Sequence, residues 1–452
     1  MRYAVHDGSW HHKGTLPRKE LGSDVYWLLR PGGPQLWVVA DADLISEITH
    51  RWKDFPKPVI YYTQLQLFGE NVLTAEGPLW QFHRKIIVRS FNPKNSSLVF
   101  TESQKQAKAM VRSWSKESTE KRESASSAIT VDDLENSVTK LALHINSAAG
   151  FGHQMQWDGH GHDSTAAETS VASEVFALGS SAESAQTEDN MRKSPRRNDL
   201  LSNMTNSDGV PHSSDKGSLS DEEITSNVFI FTLAGHETTA TTIQTALTLL
   251  ALHPELQQEI HEELDMIYGG KSEGEGLAYE TDYPKMRRLM TLMLKTLRVF
   301  PSISGILKWT DDKHQTAHYN GQPFDIPWDT SIVLDMVAVH RNPRYWGEDA
   351  DVFRPSRWLM DETYGPPTNS VSHSKHQANL LCPRKGAFVV FSDGHRDCLG
   401  KGFAQAEFCA VIATLLKDCS IELVPPEGLY RPMLYGTPCV RTCGRPWTTG
   451  GI

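Results

Sequence analysis

Cys398 stands in the run Phe391-Ser-Asp-Gly394-His-Arg396-Asp-Cys398-Leu-Gly400, whose residue types and spacing suit one chemistry, the holding of a haem through a thiolate. A thiolate ligand pushes electron density onto iron and favours cleavage of an O–O bond. Glycines at 394 and 400 would let the backbone approach a flat macrocycle. Arg396 offers a fixed fork of donors suited to a haem carboxylate, and Phe391 would screen the sulfur from water. The residues after Cys398 read as the start of a helix, whose free N–H groups and dipole would stabilise a sulfur anion. A cysteine taken alone is more often an inert buried thiol; the pattern around it argues for a ligand.

A second constellation is Ala234-Gly235-His236-Glu237-Thr238-Thr239. Gly and paired Thr are poor choices inside a helix and call for a reason. A Thr hydroxyl bonded back to a carbonyl one turn earlier can open a helix locally. The groove so formed would hold dioxygen and a water, with Glu237 and Thr238 as a proton relay. The other reading is a small-residue packing notch beside a solvent-facing Glu. The helix alone does not choose between them; the cysteine loop favours the relay.

These residues need elements to place them. Val25–Leu29 and Gln35–Val39 flank Pro31-Gly-Gly-Pro34 and predict a β-hairpin, followed by a short helix capped by Asp41 or Asp43 and running to about His50. A helix from Gly77 to Ser90 carries Trp80, His83, Arg84 and Lys85. Helices are predicted over 221–252 and 254–268, broken at His253-Pro254. A further helix over 284–299 bears the apolar stripe Met286, Leu289, Met290, Met293, Leu294 and Leu297, a core pattern. The last helix is expected over 399–416 and a closing strand over 420–424. Residues 113–130 and 152–222 are rich in Ser, Thr, Asp, Glu and Gly and read as flexible.

The chain has 452 residues and a formal net charge of -10, which argues against nucleic-acid binding. Its six cysteines lie at 382, 398, 409, 419, 439 and 443, unlike a secreted disulfide framework. Cys439 and Cys443 have no second pair with which to bind zinc. No apolar run reaches the roughly 18 residues of a membrane span, and the first residues lack the apolar stretch of a signal peptide. One large domain over 1–452 is the expectation, with 152–222 as a low-complexity insert.

Together these residues resemble the cytochrome P450 family of haem-thiolate monooxygenases, over about 22–150 and 220–445. Ala234–Thr239 is similar to the family's oxygen-activation motif, and Trp80-x-x-x-Arg84 to its W-x-x-x-R contact with a haem propionate. Ala338-Val-His340-Arg-Asn342, Trp346-Gly347 and Phe353-Arg-Pro355-Ser-Arg357-Trp358 resemble the meander before the haem loop. The flavour, with Phe55-Pro-Lys57-Pro58 and Phe68-Gly69-x-Asn71-Val72, looks like that of fungal enzymes of secondary metabolism. The resemblance implies a mainly α fold with small β-sheets, here shortened at the N-terminus and where two helices roof the substrate pocket. It implies an iron haem on Cys398, NADPH electrons through a cytochrome P450 reductase, dioxygen and a small hydrophobic substrate. It also implies an intracellular protein at the endoplasmic reticulum, although no anchor is found. By family position, the pocket would be lined from 59–76, Asn227, Phe231, Ala234, 302–307 and 433–438. Arg84, Lys85, Lys385 and Lys401 would form a local basic patch for an acidic reductase, the other reading for any one of them being an ordinary solvated face.

One departure bears on the site. The family carries Glu-x-x-Arg where this chain has Lys295-Thr-Leu-Arg298, with Arg357 as the third member of that network. Three buried cations together are costly. Either Lys295 loses its proton, or Glu348, Asp349 or Asp351 turns in as a counter-ion. Two alternatives accompany the monooxygenase reading. An oxygen-independent rearrangement would not need Glu237-Thr238, and a non-catalytic haem-binding protein would tolerate Lys295 and a thin roof.

Overall fold

The structure is a computed structural model that describes residues 20–29, 35–120, 128–155, 157, 200–205, 218–272, 274–359, 380–423 and 440–444. In chain order they form β1 (Val25–Leu28), β2 (Leu36–Val39), α1 (Ala42–His50), α2 (Gly77–Ile87), α3 (Pro93–Glu120) and β3 (Ala128–Val131). Then come α4 (Leu134–Phe151), α5 (Leu200–Thr205), α6 (Asp221–Leu252), α7 (Pro254–Tyr268) and α8 (Arg287–Val299). Strands β4 (Gly305–Trp309), β5 (Gln315–Tyr319), β6 (Gln322–Ile326) and β7 (Ser331–Asp335) precede the short helices α9 (Met336–His340) and α10 (Pro343–Trp346). Helix α11 (Lys401–Asp418) and strands β8 (Cys419–Leu423) and β9 (Val440–Gly444) complete them. The chain divides into two compact units, one of residues 1–67, 72–82 and 294–401, the other of 68–71, 83–293 and 402–452.

The first unit is built on a sheet ordered β1-β2-β7-β4. The predicted hairpin pairs antiparallel with Val25 opposite Val39, β2 runs parallel to β7, and β4 returns antiparallel along β7. Alternation along β2 and β7 sends Trp37, Val39, Ile332 and Leu334 into a core shared with Leu44, Ile45 and Ile48 of α1. Asp41 starts α1 by accepting from Leu44 N–H at 3.0 Å.

The second unit is helical, with a sheet ordered β3-β9-β8. Helix α6 begins at a capping box, in which Ser220 Oγ accepts from Glu223 N–H and the Glu223 carboxylate accepts from Ser220 N–H. It ends before Pro254, as expected. Packed on α4, it buries Ile224, Val228, Ile230, Ile243, Leu247 and Leu250 among its apolar residues.

Three expectations are corrected. Residues 113–120 continue α3 rather than forming a flexible stretch. Trp114 is buried and its indole N–H donates to Ser137 Oγ at 3.1 Å, which ties the polar end of the helix down. Residues 128–130 are strand, not loop. The helix expected over 284–299 is a 3-10 turn at Tyr283–Lys285 followed by α8, whose apolar stripe is buried as core. Most of 152–222 lies outside the described residues, as do 433–438 and Cys439.

Candidate functional site

The cysteine loop lies in the first unit and closes on itself. Cys398 N–H donates to Phe391 O at 2.8 Å and Ser392 N–H to Val389 O at 2.9 Å, with Ser392 at φ 61°. A 3-10 turn at Gly394–Arg396 sits between them, capped by Asp393. Gly394 has φ 69°, and a Cβ there would stand 2.7 Å from Thr49 O. Its glycine is therefore demanded by the end of α1 and not by approach to a macrocycle alone. Gly400 leaves ordinary space beside the sulfur, 3.9 Å from where its Cβ would be. Cys398 is an exposed residue. Surrounding protein pushes its thiol pKa up, while the N–H groups of Gly400 and Lys401 bond to the sulfur and pull it down. Those donors open α11, as the sequence suggested. The Lys401 ammonium stands over the Phe391 ring at 5.8 Å.

Arg396 is held before any ligand arrives. Its guanidinium lies 4.2 Å over the Trp80 ring, Nη2 donates to Ala75 O at 2.9 Å, and Glu76 pairs with it at 2.7 Å. Trp80 packs on Trp52, and Trp52 on His395. Two residues not singled out from sequence join this corner. Lys57 donates its amine to Leu73 O at 3.0 Å, and Lys308 is 3 % exposed on β4. Burial, then Arg396, lowers both lysines, Lys57 to about 7 and Lys308 to about 8; Glu76 offsets part of this. Three cations thus face one offsetting carboxylate. A dianionic ligand would relieve that excess, and so the residues fit the two carboxylates of a haem. The visible signal for Lys308 was a cation inside the apolar strand Gly305-Ile-Leu-Lys-Trp309.

The third cluster of this unit is Lys295, Arg298 and Arg357. Lys295 and Arg298 are fully buried. Arg298 donates to the carbonyls of His340 and Ala350, and Arg357 to Trp346 O at 2.6 Å and Asp349 O at 3.1 Å. His340 Nε2 in turn accepts from Val389 N–H at 3.0 Å, so the network reaches the cysteine loop. None of the proposed counter-ions serves Lys295. Asp349 pairs with Arg357 and Arg354, Asp351 with Arg341, and Lys295 Nζ bonds to no group among the described residues.

Arg84, Glu237 and Thr238 belong to the second unit. Arg84 follows Trp80 by one turn of α2 and is half-buried. Glu237 is exposed and Thr238 partly so. The predicted back-bond is present, Thr238 Oγ1 donating to Ala234 O at 2.9 Å. Thr232, Thr241, Thr242, Thr245 and Thr248 make the same bond, and the helix stays α throughout. The expected widening is therefore not seen. Gly235 has a different reason: a Cβ there would lie 2.8 Å from Asn146 Nδ2, which reaches from α4 to donate to Phe231 O at 3.0 Å. Asn227, expected to line a pocket, is fully buried, donating to Glu223 O at 2.6 Å and lying 3.3 Å from His83 Nδ1. His83 Nε2 meets Glu223 at 3.2 Å, which anchors the end of α2 to the first turn of α6.

The sequence matches the family described as "Cytochrome P450" over residues 18–177 and 179–434. A cytochrome P450 monooxygenase of Arthrobotrys oligospora is 31% identical, over 93% of this chain and 80% of its own length. A "Phomenoic acid biosynthesis cluster cytochrome P450 monooxygenase" of Leptosphaeria maculans is 27% identical, over 86% of this chain and 74% of its own. Among solved structures, the heme domain of cytochrome P450DA superposes with a TM-score of 0.73 at 20% identity, covering 98% of this chain and 95% of that one.

Proposed function

From a chain that belongs to the cytochrome P450 family, we propose a haem-thiolate monooxygenase acting on a small hydrophobic substrate in fungal secondary metabolism, with electrons from NADPH through a reductase. The mainly α fold with small sheets is that of the family's haem domains, and the family implies a haem with thiolate ligation. The observation that carries the reading is Cys398 itself, an exposed residue whose sulfur is bonded by the N–H groups of Gly400 and Lys401.

A thiolate-bound haem supplies activation of dioxygen for transfer of one oxygen atom to substrate. The chain's residues do the rest. Cys398 provides the sulfur; the N–H groups of Gly400 and Lys401 spread its charge and the Phe391 ring limits water near it. Arg396, held over Trp80, together with Lys57 and Lys308, would hold the carboxylates of the haem. By its match to the W-x-x-x-R motif, Arg84 shares that task. By theirs, Glu237 and Thr238 hold a proton for the reacting oxygen and release it in turn. Lys85, Lys385 and Lys401 are the cations offered to an acidic reductase, and membrane association is by family analogy, since no described helix is long and apolar enough to cross a membrane.

Purified protein supplied with reductase should consume NADPH and place one atom of isotopically labelled dioxygen in a product, and Cys398→Ala should do neither. A second reading, a haem-binding protein without turnover, is favoured by Lys295, buried and with no bonding partner among the described residues. Full haem loading with no NADPH consumption above the Cys398→Ala background, across a panel of hydrophobic substrates, would select it.

A further inference from the structure

Lys295 is 0 % exposed, and its amine bonds to nothing among the described residues. The charged groups near it among the described residues come from its own helix and from the meander. Arg298 lies one turn along α8; from the meander come Asp349, Arg354 and Arg357. Beyond Arg298 stand Arg341 with its partner Asp351, and His340. Each acid in this set is already committed to an arginine. Arg298 spends its Nη donors on carbonyls and Arg357 its own on carbonyls and the Asp349 carboxylate, while the Nε atoms of both have no acceptor among the described residues.

We propose that Lys295 is an uncharged amine in the folded chain and serves as a positioning residue, the group that lets Arg298 and Arg357 stay on the carbonyls that brace the cysteine loop. A charged amine there would add a third buried cation to two guanidinium groups with no anion to spare. One of the three must give up its proton. A guanidinium holds its proton far more tightly than an amine, so the lysine yields. Uncharged, it no longer repels Arg298, and it carries a lone pair that a charged amine lacks. Burial, then Arg298 and Arg357, lowers Lys295 to about 6, in keeping with this geometry. The path to the site is short: Arg298 to His340 O, His340 Nε2 to Val389 N–H, and Val389 O to Ser392 N–H inside the loop. The proposal needs the fold and not turnover, so it stands or falls apart from the monooxygenase reading.

The linkage has a fixed sign. An unfolded lysine keeps its proton to about 10.5, the folded one only to about 6. Across that window the unfolded chain binds more protons, so stability rises with pH, and it is lost as pH falls toward 6. The full-length haem-loaded protein and its Lys295→Met variant are compared in denaturant unfolding at pH values within this window. The native-to-variant ratio of folding constants should rise about tenfold per pH unit, because methionine fills the space without a proton to lose. Parallel curves would overturn the proposal. Should the variant not fold, the native chain with lysines labelled at the ε-carbon decides alone. One ε-carbon resonance must titrate near 6, below those of Lys57 and Lys308; if no lysine in the folded protein titrates below those two, Lys295 is charged and the proposal is wrong.

Discussion

Val389 N–H donates to His340 Nε2 over 3.0 Å, and this bond joins the Arg298 network to the segment that carries Cys398. His340 is fully buried, and burial followed by Arg298 lowers its pKa to about 3, so it accepts through Nε2 at any working pH. Phe388 packs on the ring at 5.3 Å. His340→Phe should keep the packing and leave the Val389 N–H buried without an acceptor, a loss of about 1–3 kcal/mol. Thermal unfolding should show that loss in full above about pH 7 and a smaller one toward pH 5, because the unfolded histidine takes up a proton below about 6.5 that the folded one, lowered to about 3, does not.

Lys57 and Lys308 make a prediction about haem binding. With lysines lowered to about 7 and 8, the haem-free chain is short of protons at mildly alkaline pH. Two arriving carboxylates favour the charged lysines, so haem binding near pH 8.5 should take up roughly one proton. Calorimetry in buffers of different ionisation enthalpy measures it. Lys57→Met should reduce the uptake and weaken haem retention; unchanged uptake in both Lys57→Met and Lys308→Met would place the carboxylates elsewhere.

Gly235→Ala should destabilise the second unit by about 1–3 kcal/mol despite alanine's better helix propensity, because its methyl meets the Asn146 carboxamide. Asn146→Ala in the same chain should remove most of the added cost, to within about 1 kcal/mol of Asn146→Ala alone. A double-mutant cycle by denaturant unfolding checks the coupling, and purely additive costs would separate the glycine from Asn146.

Lys295→Glu should raise both the thermal midpoint and the haem content of the purified protein, because a carboxylate replaces a third basic group beside Arg298 and Arg357, which have only the shared Asp349 and Asp351 near them among the described residues. The gain at neutral pH is expected to be on the order of 2–4 kcal/mol. A variant poorer in both respects would mean that the native amine has a favourable partner of its own.

Much of this was legible in the sequence where the cause is local. Ser220 with Glu223 and His253-Pro254 bound α6, and Asp41 caps α1, because capping groups lie within a turn of what they cap. The cysteine loop was legible because its parts fall within one decade of residues. Arg396 meeting Trp80 and Glu76 was only half legible, and the roles of Lys57 and Lys308 less so, since their proximity depends on how distant segments fold together even though Lys308 stands out as a cation in an apolar strand. Residues 113–120 were misread because a polar helix held by one buried Trp114 looks, in composition, like a loop. Gly235 was noticed for the wrong reason, as its partner Asn146 sits on another helix.

The most direct test of the account is the spectrum of the reduced, carbon monoxide-bound protein, native and Cys398→Ser. The native chain should show the red-shifted Soret band of a thiolate-ligated haem, and the serine variant, folded by far-UV circular dichroism, should lack it. A native protein that is folded and offered haem yet gives no such band, or a variant that keeps it, would contradict the assignment of Cys398.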